Sequence, residues 1–145
     1  MLKPVEVLII DDNPGDIALL RESFKECAVQ PKITAAYDAD QAFDLLLDGK
    51  RFAPDLIILD VNLPRIDGFE ILRRIRSDKR FSSTPVLVMS SSTCRSDVWR
   101  AYDLHANAFL TKPSDMDAYI EVARGIVTFW LEPLGGVRHH PIAMA

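Results

Sequence analysis

The stretch that decides the fold is L-I-I-L-D, residues 56–60, with Pro54 before it and Pro64 after it. Its first four residues are apolar without polar alternation, which indicates a strand that is covered on both faces, as in a parallel sheet between two layers of helices. The run is too short for a buried helix, which needs about ten residues. A parallel sheet with helices on both sides is therefore the first expectation.

The same pattern occurs on either side of this strand. Further strands are predicted at residues 5–10, 33–37, 86–89 and 108–111. Each is followed by apolar residues at helical spacings of three and four, as in Ile17, Leu20 and Phe24. Five strand–helix units predict an α/β protein with one doubly wound, five-stranded parallel sheet and five helices, the flavodoxin-like architecture.

Cap residues and apolar stripes predict where the helices lie. Asp38 is a predicted N-cap, the third helix is expected to start at Asp67, and the last to open at Ser114. The fourth helix is expected to carry a stripe of four residues: Val98, Ala101, Tyr102 and His105. His105 is interpreted as structural, and Asp16 as a first-turn carboxylate that complements the dipole of the first helix.

Length and composition limit the classes of protein to which this chain can belong. The chain has 145 residues, 48% of them hydrophobic, which is the size of a single domain with its own core. We assign residues 1–131 to that domain and residues 132–145 to an irregular C-terminal tail. Seventeen basic against 21 acidic residues, a net charge of −4, and no basic run argue against nucleic-acid binding.

The sequence predicts no membrane association. The uninterrupted apolar runs, such as residues 56–59, are far shorter than the roughly 20 residues that cross a bilayer. The N-terminus has no signal-peptide pattern, and two cysteines, Cys27 and Cys94, cannot build a disulfide framework. We therefore expect a cytoplasmic protein with free thiols.

Polar side chains follow four of the predicted strands. Asp11 and Asp12 follow the first strand, and Asp60 ends the third, with Asn62 two residues later. The other two, Ser90 and Lys112, follow the fourth and fifth strands. Ligands of open parallel sheets bind beyond the carboxyl ends of the strands, so these groups are expected to meet at one rim.

This set of groups suits phosphoryl transfer. Three carboxylates brought together repel one another unless a cation joins them, and oxygen ligands without His or Cys favour Mg²⁺. The ammonium group of Lys112 can hold a phosphoryl oxygen, and the hydroxyl of Ser90 can donate to an anionic oxygen. In such a reaction a carboxylate attacks phosphorus. A metal ion and a second cation neutralise the charge of the phosphoryl group.

At these residues the sequence resembles the receiver domain of two-component response regulators. Four motifs carry the resemblance: L-I-I-D-D-N-P-G-D at 8–16, L-I-I-L-D-V-N-L-P-R-I-D-G at 56–68, V-L-V-M-S-S-S at 86–92 and F-L-T-K-P at 109–113. It spans residues 5–131. The D-N-P-G-D segment and the long, Trp-containing last helix are most similar to single-domain regulators that partner phytochrome-type histidine kinases.

The resemblance implies roles for the residues at the rim. Asp60 would accept the phosphoryl group from a sensor histidine kinase. Asp12 would bind Mg²⁺ directly, Asp11 directly or through water, Asp60 as a further ligand, and Asn62 through its backbone carbonyl. Lys112 would contact the phosphoryl group.

The resemblance also implies a conformational switch. Ser90 matches the switch hydroxyl, and Phe109 falls where the family carries a switch aromatic, often Tyr. Movement of Ser90 toward a phosphorylated Asp60 would let Phe109 turn inward and change the face formed by helix 4, strand 5 and helix 5. The protein would then be a signalling protein and not an enzyme, beyond its own phosphorylation and dephosphorylation.

Three other functions are weighed against this one. A Mg²⁺-dependent aspartyl phosphatase would carry a second Asp two residues after the nucleophile, where this chain has Asn62. A flavodoxin-like cofactor binder would need a phosphate loop where Asp11 and Asp12 stand, and these would repel a phosphate. A scaffold that has lost the chemistry is disfavoured by the complete acidic set.

The last helix has a second apolar face, formed by Ala118, Val122, Gly125 and Phe129. Apolar residues continue beyond it to Leu131 and Leu134, and Trp99 on the fourth helix extends the surface. Two interpretations stay open: a tail folded back over its own domain, or a homodimer surface made of helix 4, strand 5, helix 5 and the tail.

Overall fold

Five strands alternate with five helices, as the sequence predicts. The computed structural model describes residues 4–47, 52–92 and 94–133. In chain order the elements are β1 (Glu6–Ile10), α1 (Pro14–Lys25), β2 (Lys32–Ala36), α2 (Ala39–Leu46), β3 (Leu56–Asp60), α3 (Gly68–Ser77), β4 (Val86–Ser90), α4 (Arg95–Asp103), β5 (Ala108–Thr111) and α5 (Met116–Ile126). A 3₁₀ turn, Lys79–Phe81, follows α3, and a π-helical segment, Val127–Leu131, follows α5.

All strands are parallel and lie in the order β2-β1-β3-β4-β5. The chain moves outward from β1 to β2 and then returns to β3 on the other side of β1. The carboxyl ends of β1 and β3 are therefore neighbours at the switch point, where ligands of such sheets bind. The predicted doubly wound architecture is confirmed.

The apolar strands are buried on both faces, each against its own hydrophobic core. In β3, Leu56 and Ile58 pack under α1 and α5, while Ile57 and Leu59 pack under α2, α3 and α4. Successive side chains of a strand point to opposite faces, so an uninterrupted apolar run supplies both cores at once.

Polar side chains cap α1, α2 and α3, and the sequence predicts two of these caps, Asp38 and Asp67. Asp38 accepts the backbone N–H of Gln41, and Asp67 accepts that of Phe69. In α1 the cap is Asn13, whose side-chain oxygen accepts the N–H groups of Gly15 and Asp16. Each bond satisfies an N–H group that has no partner inside its helix.

Several predicted boundaries were wrong by one or two residues. β1 begins at Glu6, one residue later than predicted, and β2 covers Lys32–Ala36 instead of residues 33–37. The last helix begins at Met116 with Asp115 as its cap, not at Ser114. A nearby side chain that can accept the first N–H groups decides where the helix starts, and Asp115 does so for Ala118.

The predicted stripe on the fourth helix was wrong at its end. α4 stops at Asp103, and His105 lies beyond it with a positive φ of 67°. The backbone carbonyl of His105 accepts a hydrogen bond from Arg76, whose guanidinium also bonds the side chain of Asn107 at 2.7 Å. These bonds support the turn between α4 and β5 through the backbone carbonyl of His105, and the structural role of its side chain stays a prediction.

The two sides of the last helix differ in exposure. Val127 and Leu131 in the π-helical segment are buried against the α1/α5 core, whereas Phe129 between them is 73% exposed. Leu134 and most of the predicted tail lie outside the described residues.

Cys27 and Cys94 are free thiols, as predicted. Among the helices of residues 4–47, 52–92 and 94–133, none has the length and apolarity that a membrane crossing requires.

A glycine permits the close approach of α3 to the end of β3. A Cβ atom added at Gly68 would lie 2.4 Å from Val61 Cα and 2.8 Å from the Asp60 carbonyl oxygen. Both obstacles are backbone atoms that cannot move without displacing the end of β3. The glycine of the motif at 56–68 is therefore explained by packing.

We predict that Gly68→Ala lowers the free energy of unfolding by about 2 kcal/mol because the added methyl group overpacks this junction. Gly125→Ala in α5 is the matched control, because a Cβ there meets nothing within 4 Å. It is expected to be neutral or to stabilise by about 0.5 kcal/mol, since alanine is the better helix former. Urea unfolding measures both, and equal effects would contradict the prediction.

Candidate functional site

The pocket at the carboxyl end of the sheet forms where β1 and β3 stop side by side. Ile10 of β1 pairs with Leu59 of β3. The residues that follow this pair in the chain, Asp11 and Asp60, are therefore neighbours. Both carboxylates are buried. One oxygen of each carboxylate accepts a backbone N–H group from two residues later in the chain. Asn13 donates to Asp11 at 2.9 Å, and Asn62 donates to Asp60 at 2.8 Å.

Three carboxylates at this point fit a hard divalent cation. One oxygen from each of Asp11, Asp12 and Asp60 lies within 4.8 Å of the others, and the side chain of Asp12 is exposed while the other two are buried. An all-oxygen set with one side open to solvent matches Mg²⁺, which keeps several of its waters. These three residues are the ones that would hold the ion.

Lys112 neutralises the buried part of the cluster. Its ammonium nitrogen lies 3.0 Å from Asp11 Oδ2, 3.1 Å from Asp60 Oδ2 and 2.7 Å from Asp16 Oδ2. The lysine side chain is only 13% exposed. Since Lys112 carries three N–H donors, three carboxylates account for all of them.

Burial and charge shift the pKa values of two of these groups. Burial raises the pKa of Asp11 to about 6, and hydrogen bonds from Asn13 and Lys112 counteract part of that effect. For Lys112, burial alone would lower the pKa, but the carboxylates of Asp16, Asp11 and Asp60 outweigh it, so the pKa lies above its ordinary value. Lys112 is therefore a permanent positive charge at this rim.

The contact of Asp16 with Lys112 was missed at the sequence level. Asp16 does lie in the first turn of α1, as predicted. It also forms the shortest of the three ion pairs of Lys112 and accepts a hydrogen bond from the buried Tyr119 hydroxyl at 3.4 Å. Asp16 lies within a helix and not directly after a strand, so the strand-end rule gave no signal for it.

Ser90 is buried at the end of β4, next to the loop that follows Asp60. Its hydroxyl donates to the Asn62 side-chain oxygen at 2.7 Å and accepts the N–H of Ser92 at 3.0 Å. The Ser90 carbonyl accepts the N–H of Lys112 at 2.8 Å, which places the lysine at the pocket. Ser90 thus contacts the acidic cluster through Asn62.

Phe109 lies outside the pocket, in β5. Its half-buried ring packs against the core under α2, α3 and α4. Its backbone N–H donates to the hydroxyl of Tyr102 on α4 at 3.2 Å. The predicted switch aromatic therefore connects β5 to α4, while the other predicted site residues gather around Asp60.

The arrangement gives Asp60 the surroundings of a nucleophilic carboxylate. Asp11 and Asp12 lie beside it as partners for a metal ion, and a lysine ammonium group contacts one of its oxygens. The ammonium group of Lys112, together with a metal ion that Asp11 and Asp12 would hold, would attract an incoming dianionic group such as a phosphoryl group to this position.

Comparison with known protein families gives one match that covers most of the chain. The family described as response regulator receiver domain matches residues 7–124. Among curated proteins, the response regulator Rcp1 of Synechocystis sp. is 32% identical over 133 residues, which cover 89% of this chain and 90% of that protein.

Solved structures give the same result. The phosphorylated cyanobacterial phytochrome response regulator RcpA matches with a TM-score of 0.82 and 33% identity, over 90% of this chain and 96% of that chain. The Mn²⁺-bound form of Rcp1 matches with a TM-score of 0.79 and 32% identity, over 89% of this chain and 96% of that chain.

Proposed function

The chain belongs to the receiver-domain family of two-component response regulators, and from that premise we propose that it accepts a phosphoryl group on Asp60 from a sensor histidine kinase. The observation that carries the proposal is the position of Asp60. One of its oxygens lies 3.1 Å from the Lys112 ammonium group, and the carboxylate shares a cation-sized cluster with Asp11 and Asp12.

The reaction transfers the phosphoryl group between two side chains. A carboxylate oxygen of Asp60 forms a bond to phosphorus while the bond between phosphorus and the kinase histidine nitrogen breaks, and the imidazole leaves with that electron pair. Asp11, Asp12, Asp60 and the Asn62 carbonyl would hold Mg²⁺, which would supply positive charge to neutralise the phosphoryl oxygens. Asp60 attacks as a carboxylate, so the reaction does not require a base to remove a proton from the nucleophile.

Lys112 and Ser90 receive the transferred oxygens. Lys112 exchanges its contact with Asp60 Oδ2 for one with a phosphoryl oxygen. The Ser90 hydroxyl leaves Asn62 and donates to another oxygen, because a bond to a doubly charged acceptor is stronger than one to a neutral amide. This movement draws the loop after β4 toward Asp60.

The switch then reaches the face formed by α4, β5 and α5. Movement of the loop after β4 changes the space beside Phe109, whose backbone is bonded to Tyr102 on α4. Phe109 has no hydroxyl group, so burial of the ring is the force that favours its inward position. Phosphorylation thus shifts the population between two packings of this face.

The relatives support a kinase partner of the phytochrome type, because RcpA is a phytochrome response regulator. We propose that this protein acts in the cytoplasm, as a signalling protein and not as an enzyme. Phosphotransfer profiling against purified histidine kinases of the source organism identifies the partner, which should label the chain faster than every other kinase.

We predict that Asp60→Asn abolishes Mg²⁺-dependent labelling of the protein by acetyl phosphate, because an amide oxygen is not a nucleophile toward phosphorus. Intact-protein mass spectrometry measures the added phosphoryl mass. Asp44→Asn, an exposed residue of α2, is the matched control and should be labelled like the wild type. Stable labelling of Asp60→Asn at another residue would remove the acceptor assignment.

The same protein distinguishes a receiver from a phosphatase. Asn62 stands two residues after Asp60 and cannot donate or accept the proton that phosphomonoester hydrolysis requires. We therefore expect no repeated turnover of p-nitrophenyl phosphate by the wild type. Turnover that depends on Asp60 would favour the aspartyl phosphatase.

We predict that Ser90→Ala still accepts the phosphoryl group but fails to transmit it to α4. Trp99, 64% exposed on α4, is the reporter. In a Trp130→Phe background, phosphorylation should change Trp99 emission, and Ser90→Ala should reduce that change at least about threefold at equal labelling. An unaltered change would show that the serine hydroxyl is not part of the switch.

We propose that the phosphorylated protein pairs with a second copy through α4, β5, α5 and the tail. The exposed rings of Trp99 and Phe129 support this proposal, because apolar rings on a regulatory face favour association. Folding of the tail over its own domain is the competing outcome.

Phe129→Asp is predicted to weaken self-association at least about tenfold, because it places a charge in an apolar contact. Sedimentation of the wild type at several concentrations, with and without acetyl phosphate, gives the reference. Tyr37→Asp serves as a control of similar chemistry beside the opposite sheet edge. A wild type that stays monomeric in both states would end the dimer proposal.

A further inference from the structure

We propose that Asp16 is a positioning residue for Lys112, which keeps the ammonium group at the pocket while Asp60 exchanges its own contact for the phosphoryl group. This inference rests on the proposed function and adds a residue to it. Asp16 is 96 residues from Lys112 in sequence, and it belongs to α1, not to a strand end.

Asp16 has the closest contact with the ammonium group. Its oxygen lies 2.7 Å from Lys112 Nζ, compared with 3.0 Å for Asp11 and 3.1 Å for Asp60. The Asp16 side chain is largely shielded from water, and that of Lys112 still more so. A charge-assisted hydrogen bond in such surroundings is stronger than one at an open surface.

The three carboxylate partners of Lys112 differ in their other roles, which are metal binding and phosphorylation. Among the described residues, the carboxylates close enough to share a cation are Asp11, Asp12 and Asp60, and Asp16 is outside this group. Asp60 loses its carboxylate charge when one of its oxygens is bonded to phosphorus, and Asp11 would also be a ligand of the metal ion. Asp16 is therefore the partner that can keep Lys112 in place throughout the reaction.

Asp16 is itself held from two sides. The Asn13 side chain accepts the backbone N–H of Asp16 at 3.3 Å and so fixes the first turn of α1. The hydroxyl of Tyr119, a residue of α5 that is 2% exposed, donates to the other Asp16 oxygen at 3.4 Å. Burial, followed by the charge of Asp16, raises the pKa of Tyr119 to about 12, so the phenol remains a donor.

Without Asp16, Lys112 would lose the one carboxylate partner that takes no other part in the reaction. Lysine has a flexible four-carbon stem, and an ammonium group with one fewer fixed partner samples more positions. Contacts that are aligned before the reaction lower the barrier more than contacts that must be formed during it. Loss of Asp16 should therefore slow the transfer step itself.

The test compares phosphorylation kinetics of Asp16→Asn and wild-type protein with acetyl phosphate at saturating Mg²⁺. We expect the maximal rate to fall about fivefold. The half-saturating donor concentration should stay equal or decrease, because one carboxylate that repels the donor has been removed. Asp16→Glu, which retains the carboxylate, should recover part of the rate, and Tyr119→Phe should give a smaller loss than Asp16→Asn.

The control variant is Glu22→Gln, which removes one negative charge from an exposed position of the same helix. It is expected to have the maximal rate of the wild type. A decrease in Glu22→Gln equal to that in Asp16→Asn would assign the effect to overall charge and would overturn the proposal.

A second measurement reports the contact without any phosphorylation. In ¹⁵N-lysine spectra of the wild type, the Lys112 ammonium signal should be visible because its protons exchange slowly with water. Lys112→Arg assigns that signal by its disappearance. In Asp16→Asn the signal should broaden or shift, whereas in Glu22→Gln it should stay unchanged.

The outcomes separate this proposal from the proposed function. A wild type that acetyl phosphate does not label refutes the phosphoryl-acceptor function, and the proposal with it. A labelled wild type with an equal maximal rate in Asp16→Asn, or with an unchanged Lys112 signal, overturns the positioning role alone. A change confined to the half-saturating concentration also overturns it, because that result describes repulsion of the donor and not placement of the lysine.

Discussion

The ion cluster around Lys112 is the interaction on which the pocket depends. Carboxylates that are removed from water are stable only when opposite charge lies close by. The ammonium group supplies that charge to Asp11, Asp16 and Asp60. In the function that we propose, the same group would meet the phosphoryl oxygens, so one set of contacts would both stabilise the pocket and prepare the reaction.

The sheet order brings the members of this cluster together. β1 and β3 are adjacent at the point where the strand order reverses, and β4 and β5 continue the sheet on one side. Parallel strands end at the same rim, so residues that are tens of positions apart share one pocket. Gly68 adds a constraint, since α3 begins against the backbone that carries Asp60. Packing of the core and placement of Asp60 are thus determined by the same junctions.

Phosphorylation would disturb this resting arrangement at two points. The Ser90 hydroxyl is bonded to Asn62, and the Lys112 ammonium group to Asp60, so both must exchange a partner. Asp16 and Tyr119 connect Lys112 to α1 and α5, while Phe109 and Tyr102 connect β5 to α4. One connection therefore runs from the pocket to α5, and a second joins β5 to α4 within the face that we propose as the interaction surface.

The sequence alone determined the five strand–helix units and the groups at the strand ends, because strand periodicity and parallel topology follow from local patterns. Asp11, Asp12, Asp60, Ser90 and Lys112 were all predicted to lie at one rim, and the structure places them there. The positive φ of His105 is a local feature of the end of α4, where the N–H of Ala106 donates to the carbonyl of Ala101. Tertiary structure alone decided the Asp16–Lys112–Tyr119 contacts, which depend on the packing of α5 against α1. No local pattern records such packing, since the partners meet only after the helices dock on the sheet.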